Sequence, residues 1–266
     1  MKRRVSMLFL CMLLIFAALT AASCGKVEEA IRCGVTQYAP MNYLDDDGNW
    51  IGFDTEFAQL VGEKLGRKVI FVEIQWSNKF LELESGTISA IWNGMTANAD
   101  ESDGTPRSEL CIFSYSYMQN KQCVVIRSEN LGSYQKPEDL VGKVIAVEEG
   151  SAGAAQTAAV VGDRSTIVNA ATQTATFAEV MSGAAECAVI DVFLAERMAG
   201  AGDFAGLMIA PIELEYEVFA IGFKKTNTDL RDKVNQAIRE LHAEGKLQPI
   251  ADKYGINDFY IDFNFK

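Results

Sequence analysis

Histidine, basic charge and paired cysteines are scarce in this 266-residue chain. The single histidine is His242, and none of the six cysteines forms a Cys-x-x-Cys pair, so the ligand spacing of a metal site and the motif of a dithiol redox enzyme are both lacking. A net charge of −12 argues against nucleic acid as a partner, because nucleic acid binds basic surfaces. We therefore expect no metal, no cofactor and no nucleic acid partner.

The first 23 residues have the layout of a secretory signal peptide. A basic start at residues 2–4 precedes an apolar run over residues 7–19, which is shorter than the roughly 20 residues of a membrane span. Small residues then lead to Cys24 in an arrangement that resembles a bacterial lipobox, with Ala21 where leucine is usual. We expect residues 1–23 to be a lipoprotein signal peptide and Cys24 to carry a lipid that anchors the exported protein to a membrane. An ordinary secretory signal, or an uncleaved anchor, is the alternative.

Cysteine chemistry is not expected in the rest of the chain either. Cys33, Cys111, Cys123 and Cys187 all sit in apolar runs, and free cysteine packs as a small hydrophobe. We favour four buried free thiols, and a disulfide in an oxidising compartment is the alternative.

Strand-like and helix-like patterns alternate from residue 31 onward. This β-α-β-α-β order predicts a largely parallel sheet covered by helices, and the pattern restarts at residue 121. Apolar residues at helical spacing predict a helix over residues 53–65, with Asp54 as its N-cap and Gly66 as its end. Another helix is predicted near the C-terminus, with an apolar face formed by Leu230, Val234, Ala237, Ile238 and Leu241.

A faint internal repeat relates the two halves. Residues 82–94 (ELESGTISAIWNG) and 179–191 (EVMSGAAECAVID) both have the pattern of a helix, a Ser-Gly turn and a buried strand. Ligands bind at the carboxyl ends of strands in open α/β sheets, and polar or glycine residues follow the strand in both segments. Two similar sheets with facing carboxyl edges would frame a cleft.

Six segments carry a family resemblance because each is weak alone but all six keep their order. They are VTQYAPMNYLDDDGNWIGFDTEFAQLVGEKLG, LESGTISAIWNGMT, FSYSYM, PEDLVGKVIAVEEGSAG, AAECAVID and AIRELHAEGKLQPIADKYG. Together they cover nearly all of residues 30–257. They resemble the family 3 extracellular solute-binding proteins of ABC transporters, the polar amino acid receptors.

The resemblance implies an α/β, two-lobed type II periplasmic binding fold. Each lobe would be a mainly parallel sheet flanked by helices, and two crossing hinge strands would join the lobes. We expect the crossings near residues 118–121 and 209–216. The expected division is therefore a signal peptide at 1–23, the first part of lobe 1 at 24–118, lobe 2 at 122–210 and the return of lobe 1 at 216–266.

The resemblance also implies a function. The chain would be the extracellular component of an ABC transporter that captures a polar or cystine-like amino acid between closing lobes and delivers it to the permease. It would act as a monomer, without catalysis, in the periplasm or on the cell surface of a bacterium. The alternative is a periplasmic-type dehydratase that acts on a small carboxylic acid with the same fold.

An α-amino acid presents a carboxylate and an ammonium, so its receptor needs fixed donors and a fixed anion. The resemblance assigns the carboxylate to residues after the third strand of lobe 1 and to the first turn of a lobe 2 helix. A helix N-terminus suits an anion through its orphan N–H groups and its dipole. The residues concerned are Asn93, Gly94, Met95 and Thr96 in lobe 1, and Ser151, Ala152 and Gly153 in lobe 2.

The same resemblance assigns the ammonium to Asp191, at the end of a lobe 2 strand, and the aromatic walls to Tyr38 and Trp76. An ammonium near an aromatic face gains about 1 kcal/mol. Plainer interpretations remain open at this stage. Asp191 and Ser151 are also suitable helix N-caps, Tyr38 and Trp76 are also suitable core residues, and Thr96 is also a suitable turn residue.

The carboxylate-binding arginine departs from the family pattern. The family usually has this arginine about five residues after the threonine matched by Thr96, where this chain has Glu101. Residues 97–104 resemble an insertion, and the Thr-Pro-Arg that follows makes Arg107 the candidate clamp, since a guanidinium binds a carboxylate in bidentate fashion. The alternative is that Arg107 belongs to the surface of a long loop.

Overall fold

The computed structural model describes residues 29–256 and 261–264, and the predicted signal peptide and Cys24 lie outside the described residues. The strands are β1 (Ile31–Val35), β2 (Tyr43–Leu44), β3 (Trp50–Ile51), β4 (Val69–Glu73), β5 (Ala90–Ile91), β6 (Ile112–Phe113), β7 (Ser116–Arg127), β8 (Val144–Glu148), β9 (Thr166–Ala170), β10 (Cys187–Asp191), β11 (Leu207–Ile209), β12 (Tyr216–Phe219), β13 (Gly222–Phe223) and β14 (Ile261–Asn264). The helices are α1 (Phe53–Leu65), α2 (Lys79–Ser85), α3 (Ala152–Val161), α4 (Gln173–Ser182), α5 (Val192–Met198), α6 (Thr228–Ala243) and α7 (Gln248–Lys253).

The first lobe is built on a five-stranded sheet of order β4-β1-β5-β13-β6. Strand β1 pairs in parallel with β4 and β5, whereas β13 pairs antiparallel with β5 and β6. Helices α1, α2, α6 and α7 belong to this lobe, and α1 packs against α6 and α7. The C-terminal helix has the predicted apolar face, whose five residues are all buried in α6.

Helix α1 matches the predicted span, but its predicted N-cap is wrong. Gly52 occupies the N-cap position, and Asp54 lies inside the first turn, fully buried. The Asp54 carboxylate instead accepts hydrogen bonds from the Gly94 N–H at 2.6 Å and the Tyr117 hydroxyl at 3.0 Å. The predicted end is confirmed, because Gly66 adopts the left-handed conformation (φ 63°) that favours glycine.

The second lobe is built on a sheet of order β11-β7-β10-β8-β9, which contacts helices α3, α4 and α5. Strands β10, β8 and β9 run parallel, so their carboxyl ends meet at one edge. The internal repeat corresponds to α2-β5 in the first lobe and α4-β10 in the second. In both, a left-handed glycine (Gly86 or Gly183) ends the helix before the buried strand.

Strand β7 connects the two lobes. Its first half pairs with β12, through partners that include Tyr216 with Lys121 and Phe219 with Met118. Its second half pairs antiparallel with β10 and β11 in the sheet of the second lobe. The long strand β7 and the short strand β12 therefore run side by side at the junction, as expected of crossing strands.

The core contains Cys33, Cys111, Cys123 and Cys187, which are buried and form no disulfide. Burial raises the pKa of each of these thiols, with Cys33 and Cys123 shifted furthest. The absence of a disulfide between any of these four cysteines confirms the interpretation of buried free thiols. Within the described residues, no helix has the length and apolar character that a membrane crossing requires.

Candidate functional site

A cavity lies where the carboxyl edges of the two sheets face each other, as the strand order requires. On the first lobe the lining residues follow β1, β4 and β5, and on the second lobe they end β8 and β10 or begin α3 and α4. The cavity has about 270 Å³ of space between its atoms. The lobes are closed on this site, because Arg107 from the first lobe and Asp191 from the second are both buried. Its lining residues are Thr36, Tyr38, Trp76, Asn93, Gly94, Thr96, Arg107, Glu148, Ala152, Gln173 and Asp191.

Most of the candidate ligand-binding residues line this cavity. The three that do not are Met95, Ser151 and Gly153, and each supports a residue beside it. The Met95 Sδ lies 3.7 Å from an Arg107 nitrogen. The Ser151 Oγ accepts the Ala154 N–H at 3.0 Å, which confirms Ser151 as the N-cap of α3. Gly153 packs too tightly for a side chain, since a Cβ there would lie 2.8 Å from a backbone oxygen.

Arg107 reaches the cavity because the inserted loop folds back on itself. Within the loop, Glu101 N–H donates to Thr105 O at 2.8 Å and Arg107 N–H donates to Ala99 O at 3.2 Å. The loop thereby returns Arg107 to Thr96, whose carbonyl accepts from the Arg107 Nη1 at 3.0 Å. Arg107 is 1% exposed, so it is not a surface residue of the loop.

A buried ion cluster joins the loop to the second lobe. The Glu101 carboxylate accepts from Arg107 Nε at 2.7 Å and from Lys79 Nζ at 3.0 Å. Both cations also donate to the Gly150 carbonyl, Lys79 at 2.8 Å and Arg107 at 3.2 Å. Because Gly150 precedes α3, two first-lobe cations hold the turn at the start of a second-lobe helix. Burial, followed by the nearby Arg107 charge, lowers the pKa of Lys79 to about 8.

Asp191 lies at the end of β10 and is surrounded by side-chain amides. Its Oδ1 accepts from Asn120 and from Gln122, the latter at 3.0 Å, and its Oδ2 accepts from Gln173. Asp191 stands at the N-cap position of α5, but its side chain makes no capping hydrogen bond there. Burial, and then the neighbouring Glu217 carboxylate, raise its pKa.

Glu217 lies on β12 behind the cavity, and its carboxylate accepts four hydrogen bonds. Its Oε2 accepts from the Thr96 hydroxyl at 3.0 Å, from Asn120 at 2.9 Å and from Gln122 at 3.1 Å. Its Oε1 accepts from Gln156 Nε2 at 2.7 Å. The Thr96 hydroxyl therefore binds a hinge-strand carboxylate, and burial raises the pKa of that carboxylate.

Glu148 ends β8 and contributes the other carboxylate of the lining. It is 3% exposed and accepts a hydrogen bond from the Gln173 backbone N–H. Burial, and then the Asp191 charge, raise its pKa to about 8, whereas Lys79 and Arg107 act in the opposite direction.

The remaining polar lining is held by its own neighbours. The Asn93 Oδ1 accepts from the Thr36 hydroxyl at 2.6 Å, and its Nδ2 donates to the Thr36 carbonyl oxygen at 3.1 Å. The Asn93 side chain therefore holds the start of the loop that follows β1. The two aromatic residues of the lining are buried from solvent, with Trp76 6% and Tyr38 2% exposed. The Tyr38 hydroxyl is buried without a hydrogen-bond partner among the described residues.

The profile of one protein family, the bacterial extracellular solute-binding proteins of family 3, matches residues 31–257. This chain belongs to that family. The arginine-binding extracellular protein ArtP of Bacillus subtilis (strain 168) is 24% identical, over 91% of this chain and 96% of the relative. The L-cystine-binding protein TcyJ of Escherichia coli (strain K12) is 26% identical, over 82% and 79% of the two chains.

Solved structures extend the comparison from sequence to fold. A substrate-binding protein of an ABC uptake transporter from Streptococcus pneumoniae, solved with bound histidine, has a TM-score of 0.76 and 29% identity, over 88% of this chain and 95% of the other. The two-lobed type II periplasmic binding fold implied by the sequence is thus confirmed for this member of the solute-binding family.

Three lining residues were not predicted, namely Thr36, Glu148 and Gln173. Glu148 ends a parallel strand in the same way as Asp191, so the strand-end rule that indicated Asp191 also applied to it. Thr36 directly follows β1 and satisfies the same rule. Gln173 had no such signal, because its approach to Asp191 depends on how α4 packs on the sheet.

Proposed function

We propose that this protein is the amino acid-binding component of an ABC transporter and that the closed cavity is its binding site. One observation carries the proposal. A buried cation from the first lobe, Arg107, and a buried anion from the second lobe, Asp191, line the same small cavity. An α-amino acid has the complementary pair of charges, a carboxylate for Arg107 and an ammonium for Asp191.

Both groups retain binding capacity for such a ligand. A guanidinium has five N–H donors, and the Arg107 contacts to Glu101, Thr96, Met95 and Gly150 use four of them. A carboxylate has about four acceptor positions, and the amides around Asp191 use three of them. One donor and one acceptor are therefore left for the carboxylate and the ammonium.

The rest of the lining supports the same ligand. The first N–H groups of α3 belong to Ala152 and Gly153, and helix dipoles favour an anion at this end. Gly94 and Asn93 keep the first-lobe turn close to the cavity, Met95 and Thr96 hold Arg107, and Ser151 caps α3. Tyr38 and Trp76 provide aromatic faces, which attract an ammonium group.

The proposed mechanism is capture by closure of the lobes. We propose that residues 24–118 and 216–266 form lobe 1 and residues 122–210 form lobe 2, with hinges near 118–121 and 209–216. Hinge closure around a ligand is a common device of two-lobed receptors. Contacts of Lys79 and Arg107 with Gly150 are made only when the lobes approach, so they would stabilise the closed, loaded state.

We further propose that the protein is exported and anchored by a lipid on Cys24, after removal of residues 1–23. It would act as a monomer on the bacterial surface or in the periplasm, and pass its amino acid to the permease subunits without catalysis. The dehydratase alternative is not favoured, because the curated relatives named above are binding proteins.

Isothermal titration calorimetry against the twenty amino acids and L-cystine tests the proposal. We expect at least one of them to bind with a dissociation constant in the micromolar range or below, about −8 kcal/mol. Absence of heat with every one of these ligands would refute the amino acid assignment. Radioactive palmitate labelling of the wild type and of Cys24→Ser in the native host tests the anchor separately.

A further inference from the structure

Charge in the closed cleft is unbalanced. Three charged side chains line the cavity, namely the guanidinium of Arg107 and the two carboxyl groups of Glu148 and Asp191, and all three are buried. The two buried cations, Lys79 and Arg107, both bind Glu101 already. A buried carboxyl group must either keep a proton or pair with a cation, so the cleft is suited to a ligand that brings positive charge.

The buried carboxylates differ in how well the protein satisfies them. Glu217 accepts hydrogen bonds from four side chains, Asp191 from three, and Asp54 from one side chain and one backbone N–H. Glu148 accepts from the Gln173 backbone N–H alone. Among the described residues, no lysine or arginine forms an ion pair with Glu148 within 4.0 Å. It is therefore the least compensated anion of the site.

Glu148 is the one charged lining residue that the proposed α-amino acid contacts leave unassigned. Arg107 and Asp191 account for the α-carboxylate and the α-ammonium, and Glu148 lines the same cavity as both. The unpartnered Tyr38 hydroxyl lies in the same lining and is an additional polar group to be satisfied. With a neutral ligand side chain, Glu148 would gain no cation and its carboxyl group would keep its proton near pH 7.

We propose that Glu148 determines specificity and that the ligand is an amino acid whose side chain carries a positive charge, as an ammonium or a guanidinium. This rests on the proposed function, since it presupposes that an amino acid occupies the cavity. Charged hydrogen bonds are the stronger class, and a buried carboxylate that loses its cation is penalised again by desolvation. The charge of the ligand side chain should therefore dominate selection.

Calorimetry with charged and uncharged isosteres tests this. We expect L-arginine or L-lysine to bind at least about tenfold more tightly than L-citrulline and L-glutamine respectively. Glu148→Gln should reduce that preference by about tenfold or more, because the amide keeps the shape and removes the charge. The matched control is Glu149→Gln, which removes the same charge from the exposed neighbouring residue and should leave the preference unchanged.

Proton release provides a readout that a merely structural role would not affect. Burial and the Asp191 charge raise the pKa of Glu148 to about 8, whereas Lys79, the Gln173 N–H and Arg107 act in the opposite direction. Near pH 7 a cation that binds Glu148 must displace its proton. Titrations in two buffers of different ionisation enthalpy should therefore show more proton release with arginine than with glutamine, and Glu148→Gln should abolish the difference.

The outcomes separate the two proposals. If neutral amino acids bind as tightly as cationic ones, or if Glu148→Gln retains the full preference while folded by circular dichroism, the specificity proposal is wrong and the amino acid receptor stands. If no amino acid binds the wild type, both are wrong.

Discussion

The Arg107 Nε and the Glu101 Oε1 lie 2.7 Å apart. Glu101 binds the arginine that follows six residues later in the sequence. The same carboxylate also binds Lys79, so one acidic residue of the inserted loop positions both buried cations against the second lobe. Glu101 therefore holds Arg107 in the lining of the cavity.

Glu101→Gln should weaken this arrangement. The amide cannot balance the charges of Lys79 and Arg107, whose side chains are 0% and 1% exposed. Breaking a buried ion pair costs about 3–5 kcal/mol, and partial exposure of Glu101 places the expected loss of unfolding free energy near the lower end. Urea denaturation measures it, with the exposed Glu109→Gln as control. Equal stability of the two variants would show that the cluster is not a structural element.

Asp191→Asn should weaken amino acid binding strongly. The amide replaces a negative partner of the ligand ammonium, and it directs an N–H group toward the amides of Asn120, Gln122 and Gln173. Truncating a buried, hydrogen-bonded charge pair costs about 2–5 kcal/mol, so the dissociation constant should rise by about 30-fold or more. Calorimetry checks this against Asp203→Asn on the surface. An unchanged affinity would remove Asp191 from the ammonium site.

Stability of the ligand-free protein should fall as pH rises from about 5 to 8. Burial raises the pKa of Glu148 from 4.5 to about 8, so the folded state binds more protons than the unfolded state in this interval. By linkage, a raised pKa stabilises the protein below the unfolded value, and this stabilisation is lost as pH rises through the folded value. Asp54, with a pKa of about 6 caused by burial, acts in the same direction.

Thermal melts of the wild type and of Glu148→Gln across this pH range measure how much Glu148 contributes to the pH dependence of stability. The variant lacks the titrating group, so its melting temperature should fall less between pH 5 and pH 8. Glu149→Gln should follow the wild type. A melting temperature that rises with pH equally in all three proteins would contradict a buried, proton-binding Glu148.

Gly153→Ala should destabilise the protein at the start of α3. The new Cβ would lie 2.7 Å from the Gln122 Oε1 and 2.8 Å from the Val189 carbonyl oxygen. Overpacking of this kind costs about 1–3 kcal/mol, and it would also displace an amide that binds Asp191. Gly206→Ala is the matched control, because no atom lies within 4 Å of its Cβ position. Chemical denaturation should separate the two variants.

The sequence predicted the fold well where local signals agree with the tertiary structure. Gly66 ends α1 because the left-handed turn needs glycine there, and Ser151 caps α3 through its own side chain. Asp54 was misassigned for the opposite reason. An acidic residue near a helix start usually serves the helix itself, whereas here a distant N–H group, that of Gly94, binds the carboxylate.

The site was less predictable than the fold. The strand-end rule and the family pattern indicated Asp191, and the Thr-Pro-Arg motif indicated Arg107. The bridging role of Glu101 depends on how the inserted loop folds back, and no periodic pattern encodes that. The hydrogen bond between Asn93 and Thr36 also depends on the tertiary structure, since the two residues are 57 positions apart in the chain.

A crystal structure with the tightest-binding amino acid tests the central claim most directly. The account predicts a ligand in the cavity between the lobes, with its α-carboxylate within hydrogen-bond distance of the Arg107 guanidinium and its α-ammonium within hydrogen-bond distance of the Asp191 carboxylate. A ligand bound elsewhere, or in this cavity without contact to either residue, would contradict the account.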